Sequence, residues 1–174
     1  MMFKYVWASL AGAVIVFLWS IVSWMVLPWH NATMNTFTDE SSIAVAVMSN
    51  TVANGVYVMP SPASRKASEN ITMPMVYMAV VHNAPNMMTP TLFINGFVIN
   101  LLGAIALVLL LSRAGRLSYF QKVIIVTIAA LFAGIVGHLP NWNWWGFPAL
   151  HTAVAIADLV IGWVLASLAM AKLV

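Results

Sequence analysis

The chain has 174 residues, 63% hydrophobic and 6% charged, and a mean hydropathy of +0.95, where an ordinary soluble protein is about a quarter charged. Its 7 basic and 4 acidic residues give a formal net charge of +3 from scattered positions, which excludes a soluble enzyme, a nucleic-acid reader and a disordered tail. The absence of cysteine excludes disulfides, thiolate metal sites and Cys nucleophiles.

Apolar stretches near the roughly 20 residues needed to cross a bilayer occur four times: Tyr5 to Leu27, Leu92 to Leu111, Val123 to Leu139 and Ala149 to Ala171. The expected fold is an all-α integral membrane protein, a single domain over 1–174. It is a four-helix bundle with a small extracytoplasmic α/β cap inserted at about 28–91. The first stretch carries no charge and leads into Leu27-Pro28-Trp29-His30 rather than into small residues suited to cleavage, so it reads as a retained anchor.

Within the insertion, Thr36, Thr38, Asp39 and Glu40 precede the apolar run Ile43 to Met48 and predict a short helix from Thr38 to Asn50. Asn54-Gly55 is a turn signal. Val56 to Met59 and Met75 to Val81 are β-favouring and predict a hairpin, while Ser61 to Ser68 has the composition of a mobile loop. Asn31-Ala32-Thr33 and Asn70-Ile71-Thr72 match the glycosylation sequon, which has meaning only in a secretory pathway. The apolar content of the insertion points to contact with the bundle top, the membrane surface or a partner.

Lys4, Arg113, Arg116, Lys122 and Lys172 flank the stretches on one side, with no acid among them. Cations next to spans stay cytoplasmic, so both chain ends are expected there, and residues 28–91 and Asn141 to Pro148 outside. Trp24, Trp29, Trp142, Trp144 and Trp145 fall at the outer level and read as interfacial anchors, with sugar stacking or a lipid headgroup site as the alternative for the Asn141–Pro148 turn.

Asp158 is the one acid inside a stretch and needs a partner facing the bundle interior. His151 lies on nearly the same helix face, about 10 Å nearer the outer surface. Thr127, Ala130, Gly134 and His138 share a face of the third stretch. Gly96, Asn100 and Gly103 do so in the second, and Gly12, Val16, Ser20 and Ser23 in the first. Asp158, Asn100, His151, His138, Ser20 and Ser23 thus form an expected intramembrane polar cluster. It reads either as helix packing or as part of a proton or cation relay, with only apolar positions such as Leu165, Leu168 and Ala169 inward of Asp158.

No cofactor is predicted, and nucleophilic catalysis has no motif to support it. Haem or a metal at His30, His138 and His151 is an alternative, as is copper at Met73, Met75, Met78, His82, Met87 and Met88, where apolar filler is the plainer reading.

Trp19 with Ser23-Trp24-Met25-Val26-Leu27-Pro28-Trp29-His30, then Val56-Tyr57-Val58-Met59-Pro60, then Trp145-Gly146-Phe147-Pro148 leading to Asp158-Leu159 and Gly162-Trp163, resemble uncharacterised small four-span bacterial inner-membrane proteins. The resemblance implies that placement and a single domain, and no activity. The expected role is that of an accessory, scaffold or assembly subunit that touches the lipid bilayer and a protein partner or a second copy, with no nucleic acid. A transporter or channel subunit using Asp158 is the alternative, and an outer-face metal or haem protein the second.

Overall fold

The computed structural model describes residues 2–67, 72–84, 86 and 88–174. Four helices are long and apolar enough to cross a membrane: α1 (Met2–Ile21, continued by a π-helical turn, Val22–Val26), α4 (Pro90–Arg113), α5 (Tyr119–Trp145) and α6 (Ala149–Leu173). α1 packs against α4 on one side and α6 on the other, and α6 packs against α5, whereas α4 and α5 meet only marginally. The core therefore follows α1 and α6, through Ala8, Val16, Val108, Ala166 and Met170.

Small residues set the spacing between these helices. A Cβ on Gly162 would come 2.8 Å from the Trp19 ring, and one on Gly103 would come 2.8 Å from that of Trp163. Each glycine thus leaves room for an indole from a neighbouring helix, the packing device common to apolar bundles. At the end away from the cap, the Lys4 and Lys122 ammonium groups lie 3.5 and 3.1 Å from the Val174 carbonyl. The starts of α1 and α5 are so joined to the end of α6, placing the five flanking cations at one end of the helices.

α5 runs past the expected stop at Leu139. Pro140 lies inside the helix, and Asn141 to Trp145, expected in an outer turn, are helical. A proline removes one donor without necessarily ending a helix. The effective stop is Gly146, with φ 70, whose N–H and that of Phe147 both reach the Asn141 carbonyl. Only Gly146 to Pro148 then connect α5 to α6.

The cap holds α2 (Glu40–Asn50), β1 (Gly55–Met59), α3 (Pro62–Ala67) and β2 (Val76–Val80). β1 and β2 form the expected antiparallel hairpin, with Tyr57 opposite Met78 and Gly55 opposite Val80. Most of the expected loop is instead α3. The Ser61 hydroxyl accepts from the Ser64 N–H at 3.1 Å, and Pro62 supplies the fixed φ suited to a first turn. Ser68, Glu69, Asn70 and Ile71, with part of the second sequon, and Met87 lie outside the described residues.

α2 begins two residues later than expected, because Asp39 caps it from outside. Its carboxylate accepts from the Ser42 hydroxyl, the Ser41 hydroxyl at 2.7 Å and the Ser42 N–H at 3.1 Å. These bonds, that from the Ser42 hydroxyl foremost, lower its pKa from 3.8 to about 2. The folded value is depressed, so the cap is fully in place above pH 3.8 and is lost as the pH falls through about 2. Amide exchange at residues 41–43, normalised to mid-helix amides, should rise selectively over that window. In Asp39→Ala it should be raised already at pH 5 and stay flat.

Candidate functional site

The site is assembled where α1 ends. In the π-helical turn the Leu27 N–H bonds the Val22 carbonyl at 2.9 Å, so the Ser23 carbonyl loses its helical donor. The Trp29 indole takes that place, donating to the Ser23 carbonyl at 3.1 Å and to its hydroxyl oxygen at 3.0 Å. Pro28 stops the helix, and the tight turn over Asn31–Thr33 folds the chain back. His30 thereby returns into the bundle, 3% exposed, with its ring stacked on Trp24 at 3.8 Å.

Asp158 on α6 meets this turn. Its carboxylate lies 3.3 Å from His30 Nε2, and the Trp19 indole donates to Oδ1 at 2.7 Å and to the Asp158 carbonyl at 3.0 Å. The Ser23 hydroxyl is 3.1 Å from the same His30 nitrogen. An ionised carboxylate only accepts, so with Asp158 ionised Nε2 carries a proton shared between Asp158 and Ser23. The partner that an acid in an apolar helix requires is thus His30, and Trp19 and Ser23 complete the network.

His151 is held from the same turn. The Thr33 hydroxyl donates to the His30 carbonyl at 2.8 Å and lies 2.9 Å from His151 Nδ1. With its one proton used on the carbonyl, Thr33 accepts from Nδ1–H, which leaves His151 Nε2 as an acceptor in the neutral ring.

These groups border a cavity of about 410 Å3, lined also by Trp24, His138 and Asn141 from α5, Phe147, Thr152, Ala155 and Leu159. The volume is within the range of small-molecule sites, roughly 300–1,000 Å3. Asp158 is the one carboxylic acid on the wall, with three imidazoles, one amide and two aromatic rings around it and no lysine or arginine.

Of the expected polar cluster, Asp158, His138, His151 and, through His30, Ser23 are brought together here. Asn100 lies on the other side of Asp158, in a separate hollow of about 320 Å3 that Ser20 also lines, and the Ser20 hydroxyl bonds its own helix at the Val16 carbonyl, 2.9 Å away. Trp19 and Thr33 were missed as site residues, and Trp29 was expected only as an interfacial anchor. Trp19 stood in the sequence seven positions from Gly12 and beside Ser20, where a face of small residues leaves room for an indole.

His30, His138 and His151 share the cavity without converging: among the described residues, no group of three or more His, Cys, Asp or Glu side chains could hold a metal ion. His30 Nε2 and His151 Nδ1 already have partners. His82 is bonded through Nε2 to the Thr51 hydroxyl at 2.8 Å, and Met75 reaches toward Gly146.

The expected tryptophan anchors divide. Trp142 and Trp144 are exposed on α5. Trp145 stacks on Tyr77 of β2 at 4.5 Å and lies under the Arg65 guanidinium of α3 at 5.8 Å, tying the hairpin and α3 to the end of α5. Trp24 and Trp29 belong to the His30 site. No family model, no curated protein and no solved structure matches the chain.

Proposed function

We propose that the chain is a non-enzymatic accessory subunit of a membrane, holding a small polar or cationic solute in the cap-end cavity without passing it across. The observation that carries this reading is the one-sided distribution of imidazole and carboxylate groups. His30, His138, Asn141, His151 and Asp158 line the cap-end cavity, whereas toward the other end the interior closes over Gly162, Ala166, Met170 and Ala171, where the buried polar residues are Ser9 and Ser167 and the Ser167 hydroxyl is donated to its own helix at the Val164 carbonyl, 2.6 Å away. A carboxylate on a wall that also holds Trp24 and Phe147, without a lysine or arginine, favours a cation over an anion.

The four long helices are read as spans, with the cap extracytoplasmic and the five cations on the cytoplasmic side of a bacterial inner membrane, the placement that the resemblance implies. The accessory role draws on α2, which buries none of its residues. Val45 is 70% exposed and the neighbouring Val52 98%, an apolar surface suited to a partner.

The cysteine-free chain allows a direct test. Ala155→Cys puts a thiol on the cavity wall, and the probes are a cationic and an anionic methanethiosulfonate reagent applied to sealed vesicles of known orientation. Modification is expected from the cap side alone. It should be faster with the cationic reagent, and Asp158→Asn should abolish that preference. Equal modification from both sides would replace this reading with a transport pathway, and complete protection from both would reduce the cluster to helix packing.

A further inference from the structure

A second site faces the opposite side of Asp158. Two hollows, of about 510 and 320 Å3, meet at Ser20, Ile99 and Asn100 along the seam between α1 and α4. The larger has apolar walls, including Phe17, Leu92 and Phe93. The smaller ends at Asp158, backed by the indoles of Trp19 and Trp163. Gly96 borders the larger hollow, and a Cβ there would meet nothing nearer than the Phe17 ring at 3.9 Å, so the space beside it is open.

Asn100 stands where the hollows join, half-buried, and its amide has no hydrogen-bond partner among the described residues. A polar group in an apolar helix without a partner is costly. The neighbouring Ser20 hydroxyl is already donated to its own helix. Asp158 uses both oxygens, yet a carboxylate has further acceptor capacity.

We propose that this seam binds a hydroxyl-headed amphiphile entering from the bilayer. Its chain lies in the apolar hollow, and its hydroxyl accepts from the Asn100 amide while donating to the Asn100 carbonyl oxygen or to Asp158. A hydroxyl fits because it both donates and accepts, as the amide does. The seam shares Asp158, Leu159 and Trp24 with the cap-end cavity, but Asn100 and Gly96 border only the seam, so changes there test it apart from the cavity.

The test uses the full chain in phosphatidylcholine vesicles with three diazirine probes of equal chain length: a monoacylglycerol, a headless alkane and a phosphatidylcholine. Monoacylglycerol labelling is expected to concentrate on residues 17–25 and 92–100. Asn100→Leu, a change that suits an apolar helix, should lower it about tenfold, the effect of one lost hydrogen bond in an apolar setting. Gly96→Leu, which fills the hollow, should lower it as well, while alkane labelling stays spread over the outward helix faces in Asn100→Leu. Equal labelling of the seam by the phosphatidylcholine probe would assign it to bulk lipid and overturn the proposal, as would monoacylglycerol labelling unchanged in both variants.

Discussion

Asp158→Leu is expected to destabilise the protein by about 1–3 kcal/mol, the loss of the carboxylate's hydrogen bonds from Trp19 and His30, with most of the loss absent in Asp158→Asn. Leucine removes both oxygens, now 2.7 and 3.3 Å from the Trp19 indole and His30 Nε2, and leaves the indole only the backbone carbonyl of residue 158 at 3.0 Å and Nε2 only the Ser23 hydroxyl at 3.1 Å. Breaking one side of a buried pair in a soluble protein costs about 3–5 kcal/mol. On the proposed membrane placement the smaller figure applies, because a chain unfolded within a bilayer still finds partners for its polar groups. Asparagine keeps an oxygen for Trp19 and offers an N–H to a neutral His30 that has moved its proton to Nδ1, so its cost should stay below about 1 kcal/mol.

Unfolding in a mixed-detergent titration measures both variants, and His30→Leu closes a double-mutant cycle. If Asp158→Leu and His30→Leu simply add, the pair contributes no coupling and the turn is held by its other contacts, those of Trp29 with Ser23 and of Thr33 with His151. The same variants separate stability from function. Asp158→Asn should fold normally and still lose the charge preference at Ala155→Cys, a combination that a purely structural carboxylate would not give.

The four long helices were legible because their signal is additive: some 20 apolar residues in a row outweigh any local exception. Their ends were less so. The third stretch was expected to end at Leu139, but the helix continues through Pro140, since a proline removes only one donor, and the decisive stop was Gly146, where a left-handed φ favours a residue without Cβ. In the cap, the hairpin followed from its β-favouring runs, whereas α3 was hidden because Ser61-Pro62 reads equally as a loop and as a cap followed by a first helical residue.

The site was half legible. The cost of an acid in an apolar helix announced that Asp158 needs a partner, and helical periodicity placed His151 on its face. The identity of that partner was not available locally. His30 follows a proline after the first helix, a position from which a chain normally leaves the bundle. It returns only because the π-helical turn frees the Ser23 carbonyl for Trp29. That exchange of one hydrogen bond for another depends on the three-dimensional path, and no periodicity records it.

The second large effect is expected at the cap. Trp145→Ala should release the β1–β2 hairpin and α3 from the end of α5 while leaving the four long helices in place. The indole stacks on Tyr77 and carries the Arg65 guanidinium. An aromatic pair contributes about 0.5–1.5 kcal/mol and an exposed cation–π contact about 0.5–1 kcal/mol. Their joint loss corresponds to roughly a 5- to 70-fold increase in local opening. Amide exchange across residues 55–59 and 76–80 measures it directly, with α1 and α6 amides as the internal reference. Trp145→Phe, which retains a stacking face, should show a smaller increase. Phe147 lies on the cavity wall and is joined to Trp145 through Gly146 alone, so the same release should quicken modification of Ala155→Cys from the cap side. Opening of the hairpin with no change at Ala155→Cys would mean that the cap is fastened to α5 without governing entry to the cavity.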